Sequence, residues 1–194
     1  MRFLMRIVPA ALSAALLTIS AGPLLAQAGL RPAPSGRGTS EVVLTVPAPE
    51  GQAGPEFKIR LDYGQPHLRG RAINTDSLVP YGEPWRTGAN AATTLTTDVD
   101  LDLAGVSLPK GTYVLFTLPS RTGWKLLIQR DAGQGGVYKV ANDVARVDLR
   151  TRQLPASIES LTMWLIPSTA PGAARGELRM AWGTTELSAD WQVK

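Results

Sequence analysis

Cysteine is absent from the 194-residue chain, and histidine occurs only once, at His67. Without cysteine there can be no disulfide scaffold, thiolate zinc site, iron–sulfur cluster or cysteine nucleophile. A site with several histidines is also excluded within one chain, and a Ser–His–Asp triad would have to use His67. This composition still allows three classes of function: ligand binding, a structural role, and catalysis that relies on carboxylates or on this one histidine.

The first 28 residues have the pattern of a secretory signal peptide. Two arginines and no acid open the segment, an apolar run follows, and Ala26-Gln27-Ala28 forms a cleavage site. We expect cleavage after Ala28, with Ala26 as the alternative, and export to a periplasmic or extracellular compartment. A retained anchor is the competing interpretation, but proline and glycine interrupt the apolar stretch before the roughly 20 residues that a membrane-spanning helix needs. We therefore expect no membrane span after cleavage.

Basic residues exceed acidic ones only slightly, 20 against 16. Removing residues 1–28 takes away two arginines and no acid, which leaves 18 against 16 and a net charge of +2. A nucleic-acid-binding domain would need a concentrated basic face, so nucleic acid is not an expected partner. The remaining length suits one domain with a sizeable core.

Short alternating or β-branched runs, separated by Gly, Pro, Asn and Asp, recur along the rest of the chain. They predict strands at residues 41–46, 57–63, 96–103, 112–118, 124–129, 143–149, 160–166, 177–182 and 186–193. Gly183-Thr184-Thr185 predicts a hairpin turn between the last two. No window sustains an amphipathic helix, so the predicted fold class is all-β, a single antiparallel β-sandwich of about nine strands.

The expected domain organisation has three parts. Residues 1–28 are the signal peptide, residues 29–55 a Pro/Gly-rich leader with a possible edge strand, and residues 56–194 the β-sandwich domain. Gly, Pro, Ser and Arg dominate residues 29–40, and this composition predicts a flexible segment there.

Residues 79–93 break the alternating pattern and still concentrate large polar and aromatic side chains. Ordering such residues in a loop costs conformational entropy unless something fixes them. Residues 63–71, just upstream, have the same chemistry. The candidate ligand-binding residues are His67, Arg69, Arg71, Tyr81, Trp85, Arg86 and Asn90.

Two interpretations of these arginines are open. Arginine pairs bidentately with planar oxyanions, and Arg69 and Arg71 would share one face of an extended segment, so they could bind a carboxylate, phosphate or sugar. Alternatively, Arg86 bonds to loop carbonyls and to an internal acid such as Glu83 or Asp62. It would then pin an irregular segment to the sheet, because loop backbone needs hydrogen-bond partners.

The sequence gives little support for metal binding or catalysis. Asp98, Asp100 and Asp102 have a calcium-like spacing, but Leu103 and Pro109 occupy the glycine and bidentate-acid positions of an EF-hand loop. The three acids are more simply the solvent face of a strand, paired with basic residues on a neighbour. No G-x-S-x-G motif accompanies the histidine. We predict no catalytic residues, no metal and no cofactor.

The two irregular segments resemble the signature of an exported bacterial family, domain of unknown function 2911. The matching positions are Tyr63, Pro66, Gly70, Arg71, residues 78–82 (Leu-Val-Pro-Tyr-Gly), residues 85–90 (Trp-Arg-Thr-Gly-Ala-Asn), Ala92, Thr93, residues 108–119 and Trp124. The resemblance spans most of the chain after the signal peptide. It implies a fold and a region of interest but no reaction, since the family has no established activity.

Three positions depart from that signature. Gln65 stands where the family has an arginine, Ala91 where an acid is usual, and Gly135-Gly136 where a Trp-Gly pair is expected. A family site that used this arginine and acid would be incomplete in this chain. We expect a small binding or accessory module for a polar or anionic ligand. The alternatives are a structural or envelope-interaction protein in which the signature is scaffolding, and then a hydrolase.

Overall fold

The computed structural model describes residues 31, 33–74, 78–130 and 137–194. The predicted signal peptide, its cleavage site and Gly135-Gly136 lie outside the described residues. Within those ranges there is no α-helix, and no helix is long and apolar enough to cross a membrane. One 3-10 helix, Val140–Asn142, is present.

Nine antiparallel strands form one sheet in the order β1-β2-β3-β6-β7-β8-β9-β4-β5, which confirms the predicted all-β class. The strands are β1 Gly36–Thr45, β2 Glu56–Gln65, β3 Thr93–Thr97, β4 Leu101–Leu103, β5 Val106–Leu108, β6 Gly111–Pro119, β7 Trp124–Arg130, β8 Asp143–Pro167 and β9 Arg175–Val193. Buried residues from both halves of the sheet contribute to one hydrophobic core. Burial alternates along most strands, as the period-two sequence pattern requires.

The long strand β8 connects the two halves of the sheet. Its first part pairs with β7 up to Leu149, and from Arg150 onward it pairs with β9. On its other edge, the second part of β8 meets β1 and the end of β2 along a line that we call the seam. There the backbone N–H groups of Leu161, Met163 and Leu165 donate to Pro66 O, the Tyr63 hydroxyl and Ser40 Oγ at 3.0, 3.1 and 2.9 Å.

The predicted strand at residues 96–103 is wrong as a single element. β3 ends at Thr97, and the chain then turns into β4, which pairs with β5 and β9 instead of β2 and β6. The Thr97 hydroxyl makes the turn: it donates to Val99 O at 2.6 Å and accepts from Val99 N–H at 3.2 Å. The alternation of apolar residues runs through the turn, which is why the sequence pattern conceals it.

The aspartates beside this turn bind backbone groups, whereas the sequence analysis expected basic side chains. Asp98 accepts from Lys58 N–H at 2.8 Å, Asp100 from Lys110 N–H at 2.7 Å, and Asp102 from Gly105 N–H at 2.8 Å. Each carboxylate thus satisfies a donor at a strand end or turn, a common use of aspartate in loops.

The predicted hairpin at residues 183–185 is also wrong. Residues 177–193 belong to one strand, β9, and the predicted strands at 143–149 and 160–166 are both parts of β8. Gly183, with a φ of +59°, lies opposite Ile158, where the pairing register shifts. A glycine in a β-bulge carries the same sequence signal as a hairpin glycine, since both need positive φ.

The predicted flexible leader is wrong for residues 36–40, which form the first half of β1. A side chain at Gly38 would come within 2.6 Å of the Tyr63 ring, so this glycine permits close packing. β1 stands at one end of the strand order, as the predicted edge strand would, and β5 stands at the other. Residues 29, 30 and 32 lie outside the described ranges.

Ion pairs line the outer face of the β8–β9 pair. The Arg150 guanidinium donates to both carboxylate oxygens of Asp190 at 2.6 and 2.8 Å, and to Glu177 at 3.0 Å. Arg152 pairs with Glu186 through two bonds of 2.9 and 3.0 Å. Hydrogen bonds from Arg150 hold the pKa of Asp190 below its ordinary value.

This lowered pKa predicts a pH dependence for Asp190→Asn. The ionised pair stabilises the fold above the ordinary carboxyl pKa of about 3.9, and this contribution is lost as pH falls through the lowered pKa. The stability difference between wild type and variant should therefore be largest near neutrality and shrink below about pH 4. It should stay small, about 0–1 kcal/mol, because the pair is exposed. Urea unfolding at pH 7 and pH 3 measures it, with the exposed Glu50→Gln as control, and a difference that grows at low pH would contradict the prediction.

Candidate functional site

The two signature segments run beside each other, and two isolated β-bridges fix them to the sheet. One bridge joins His67 to Ser160 of β8, and the other joins Trp85 to Thr117 of β6. Among the described residues from 78 to 92 there is no strand, in agreement with the irregular pattern of the sequence. The segments therefore have fixed attachment points without regular structure.

Trp85 is attached by both its backbone and its ring. Its N–H and C=O each bond to Thr117 at 2.8 Å, and its indole stacks on Trp182 with ring centroids 5.5 Å apart. Trp182 is buried and donates from its indole nitrogen to Glu159 O at 3.1 Å. Trp85 is half-buried and therefore serves as an anchor, with one face of its ring stacked on Trp182.

Thr87 is a key residue that the sequence analysis missed. It is fully buried with a φ of +53°, and its hydroxyl contacts Thr117 Oγ1 at 3.2 Å. Thr93 Oγ1 donates to Thr87 O at 2.9 Å, and Ala89 N–H donates to Gly64 O at 3.2 Å. These bonds fold the segment tightly over the end of β2. The sequence signal for this contact is Gly64 in β2, because a glycine inside a strand often marks the close approach of another backbone.

Arg71 and Arg86 bind carbonyl oxygens of their own loops. Arg71 donates to Leu68 O and His67 O, both at 2.9 Å, and Arg86 donates to Asn90 O at 2.9 Å. Carbonyl binding is what the scaffold interpretation expects of Arg86. The suggested acid Asp62 instead pairs with Arg37 of β1 and with Arg60.

Arg69 and Arg71 do not share one extended face. Arg69 has a φ of +51°, so the backbone turns between them. The Arg69 N–H donates to Glu159 Oε1 at 2.7 Å, and its guanidinium donates to Pro34 O at 3.2 Å. The prediction that the two arginines share one face of an extended segment is therefore wrong.

His67, Arg69 and Asn90 come together around the chain segment before β1, and we call these three residues the clasp. Their side chains contact three consecutive carbonyl oxygens at the end of the leader. His67 Nε2 lies 3.4 Å from Ala33 O, Arg69 Nη2 3.2 Å from Pro34 O, and Asn90 Nδ2 3.2 Å from Ser35 O. The turn at residues 34–35 leads directly into β1. The clasp side chains thus donate to backbone carbonyl oxygens of the segment before β1.

The environment of His67 favours this positioning role over catalysis. Its Nδ1 lies 2.7 Å from Ser160 Oγ, a contact that sequence spacing could not reveal across 93 residues. A carbonyl oxygen only accepts, so Nε2 is the donor in the contact with Ala33, and Nδ1 is the ring atom that contacts the Ser160 hydroxyl. A Ser–His–acid triad needs a carboxylate at the second ring nitrogen, where this structure has a carbonyl.

Tyr81 lies apart from the clasp contacts. Its ring is 43% exposed, and the Arg121 guanidinium lies 5.6 Å from the ring centroid, within the range of a cation–π contact. At two departures from the signature, Gln65 donates to Leu161 O at 3.1 Å, and Ala91 O accepts from Arg37 at 3.3 Å. In the described part of the chain, no three His, Asp or Glu side chains are grouped to hold a metal ion.

The family comparison agrees with the resemblance of the sequence. The family model described as Protein of unknown function (DUF2911) matches residues 50–190, well over half of the chain. The chain belongs to this family. No curated protein and no solved structure matches it significantly. The DUF2911 match includes all three clasp residues, whereas the carbonyls that they hold precede its first residue.

Proposed function

We propose that this DUF2911 chain is an exported binding module whose clasp holds a short polypeptide segment through main-chain carbonyl oxygens. The supporting observation is the match of three side-chain donors to three consecutive carbonyls, at Ala33, Pro34 and Ser35. Export rests on the signal-peptide pattern of residues 1–28.

The contacts favour a neutral polar ligand over the anion that the sequence also allowed. The guanidinium groups of Arg69, Arg71 and Arg86 all donate to neutral carbonyl oxygens. An anion would have to displace these bonds, whereas another carbonyl-rich segment would reproduce them. Proline suits such a ligand, because it has no N–H to leave unpaired and it restricts the free chain.

The test is the binding of a synthetic peptide with the sequence of residues 30–36. In the intact chain the leader competes for the clasp, so we compare wild type with Pro34→Gly. Glycine gives the free leader more conformational freedom than proline, so ordering the leader in the clasp costs roughly 1 kcal/mol more in the variant. The leader then competes less well, and we expect the peptide to bind the variant about fivefold more tightly. Isothermal titration calorimetry measures both affinities, with inorganic phosphate as the competing ligand class.

Two clasp variants test which donors carry the binding. Asn90→Gly and Arg69→Gly keep positive φ values that glycine adopts freely and remove one donor each. Each variant weakens the competing leader and the peptide alike, so its effect is read from a ratio of two affinities. A peptide with a thioamide, a weaker acceptor, in place of the Pro34 or the Ser35 carbonyl should bind Pro34→Gly several-fold more weakly than the unmodified peptide, because one hydrogen bond contributes about 1 kcal/mol. This ratio should approach one when Arg69→Gly or Asn90→Gly, respectively, is added. Arg121→Ala, beside Tyr81, is the matched control. The proposal would be contradicted if the peptide bound none of these chains, or if the affinity ratio of the two peptides were the same with and without the clasp variants.

A structural role is the second candidate, and the burial of Thr87 supports it. Thr87 and Trp85 join the signature to β6, while Ala89 joins it to β2. Under this interpretation the clasp only fixes the start of β1. Clasp variants would then lower the unfolding temperature without any peptide binding.

A further inference from the structure

We propose that a cleft at the end of β9, which shares no residue with the clasp, binds a saccharide through its hydroxyl groups. The cleft has a volume of about 710 Å³ and lies among the β4–β5 turn, the β8–β9 turn and the last residues of β9. Ligand-binding clefts typically have volumes of roughly 300–1,000 Å³, so one or two sugar rings would fit. Because the cleft contains none of the clasp residues, the inference is independent of the proposed function.

Backbone hydrogen bonds fix the walls of this cleft. Ala104 N–H donates to Asp190 O, Ser168 N–H to Arg175 O, and Val193 N–H to Ala174 O, each at 2.8 Å. These bonds tie both turns to strands of the sheet. The cleft is therefore preformed, which reduces the entropy cost of binding.

The acceptors in the lining are oriented carboxylates. Asp102 is held by Gly105 N–H, Asp190 by two bonds from Arg150, and Glu177 by bonds from Arg150 and Arg179. Because guanidinium groups already neutralise two of the three, the cleft is not a simple site for a cation. Ionised carboxylates in fixed positions are strong acceptors for hydroxyl donors.

Donors complete the lining. Trp191 is 2% exposed, and its indole N–H has no hydrogen-bond partner in the part of the chain that the structure describes. A buried donor without an acceptor is unfavourable, so a ligand that brings an acceptor to Trp191 gains affinity. Arg175 and Gln192 add further donors to the same lining. A hydroxyl group both donates and accepts, and it therefore suits a lining that mixes these groups.

The rim is partly apolar. Ile166, 38% exposed, and Pro167 line the cleft beside the carboxylates. Saccharides combine hydroxyl edges with apolar C–H faces, whereas a small inorganic cation would make no use of this surface. The mixture of donors, oriented acceptors and an apolar rim points to a neutral saccharide.

The experiment titrates the intact chain with maltose, cellobiose and N,N′-diacetylchitobiose, and with spermidine as a cationic probe. We expect saturable calorimetric binding of at least one disaccharide and a change in tryptophan fluorescence. Trp191→Phe keeps an aromatic ring and removes the N–H, and it should weaken this disaccharide about tenfold and abolish the fluorescence change. Gln192 is exposed, so Gln192→Ala does not threaten folding, and it should weaken disaccharide binding severalfold.

The control is Asn90→Gly, which alters the clasp and should leave disaccharide binding unchanged. Conversely, Gln192→Ala should leave binding of the leader peptide unchanged, so the two proposals fail separately. Absence of binding by all three disaccharides, binding of spermidine alone, or affinities unchanged in both cleft variants would overturn the inference.

Discussion

Gly64→Ala is expected to destabilise the protein by about 3 kcal/mol or more. A methyl group at this position would lie 1.8 Å from Ala89 O and 2.6 Å from the Ala89 carbonyl carbon, both backbone atoms. Neither backbone can retreat cheaply, because Gly64 pairs with Arg37 of β1 and the loop is anchored at Thr87. The unfolding temperature should fall by roughly 6 °C or more, at about 2–4 °C per kcal/mol. Differential scanning calorimetry measures the change.

Gly36→Ala is the matched control for Gly64→Ala. Gly36 begins the neighbouring strand β1 and pairs with Gln65, yet a methyl group there would meet no atom within 4 Å. The same substitution should therefore shift the unfolding temperature little. Similar shifts in both variants would show that the contact between Gly64 and the signature segment does not constrain the fold.

Tyr63→Phe is expected to cost about 1–3 kcal/mol by opening one bond of the seam. The Tyr63 oxygen accepts the Met163 N–H at 3.1 Å, and both residues are buried. Removal of the hydroxyl leaves a buried backbone donor unpaired while the ring keeps its packing. Urea unfolding should show a lower midpoint with an unchanged slope, since the exposed surface on unfolding is nearly the same.

Tyr81→Phe provides the comparison, because Tyr81 is 43% exposed and its ring contact with Arg121 does not need the hydroxyl. Its midpoint should stay within error of wild type. If Tyr63→Phe left the midpoint equally unchanged, the hydroxyl bond to Met163 would contribute nothing to stability, and the seam would depend on its other bonds.

The fold class was predictable because it depends on local alternation, but the division into strands was not. In β8, the residues from Arg150 to Gln153 are exposed and polar, which resembles a loop. They are strand residues only because Leu187 and Ser188 of β9 lie beside them. Pairing of this kind depends on residues far away in sequence, and no local pattern records it.

One part of the candidate site was likewise predictable from sequence, and another part was not. Sequence composition correctly singled out the irregular segments, since large polar side chains in a loop need partners. The identity of the partners could not be predicted: Ser160 contacts His67 from β8, and the acceptor for Arg69 lies in the leader. The expected common face of Arg69 and Arg71 failed because a positive φ at a non-glycine residue has no reliable sequence signal.

The seam also has a kinetic consequence. Tyr63 of β2 acquires its partner Met163 of β8 only after 100 further residues are available. Contacts this distant in sequence make folding slow, typically milliseconds to seconds for all-β domains. During synthesis from the N-terminus, the chain therefore stays incompletely folded until most of β8 is present. This delay is compatible with the proposed export, in which the chain would cross a membrane before it folds.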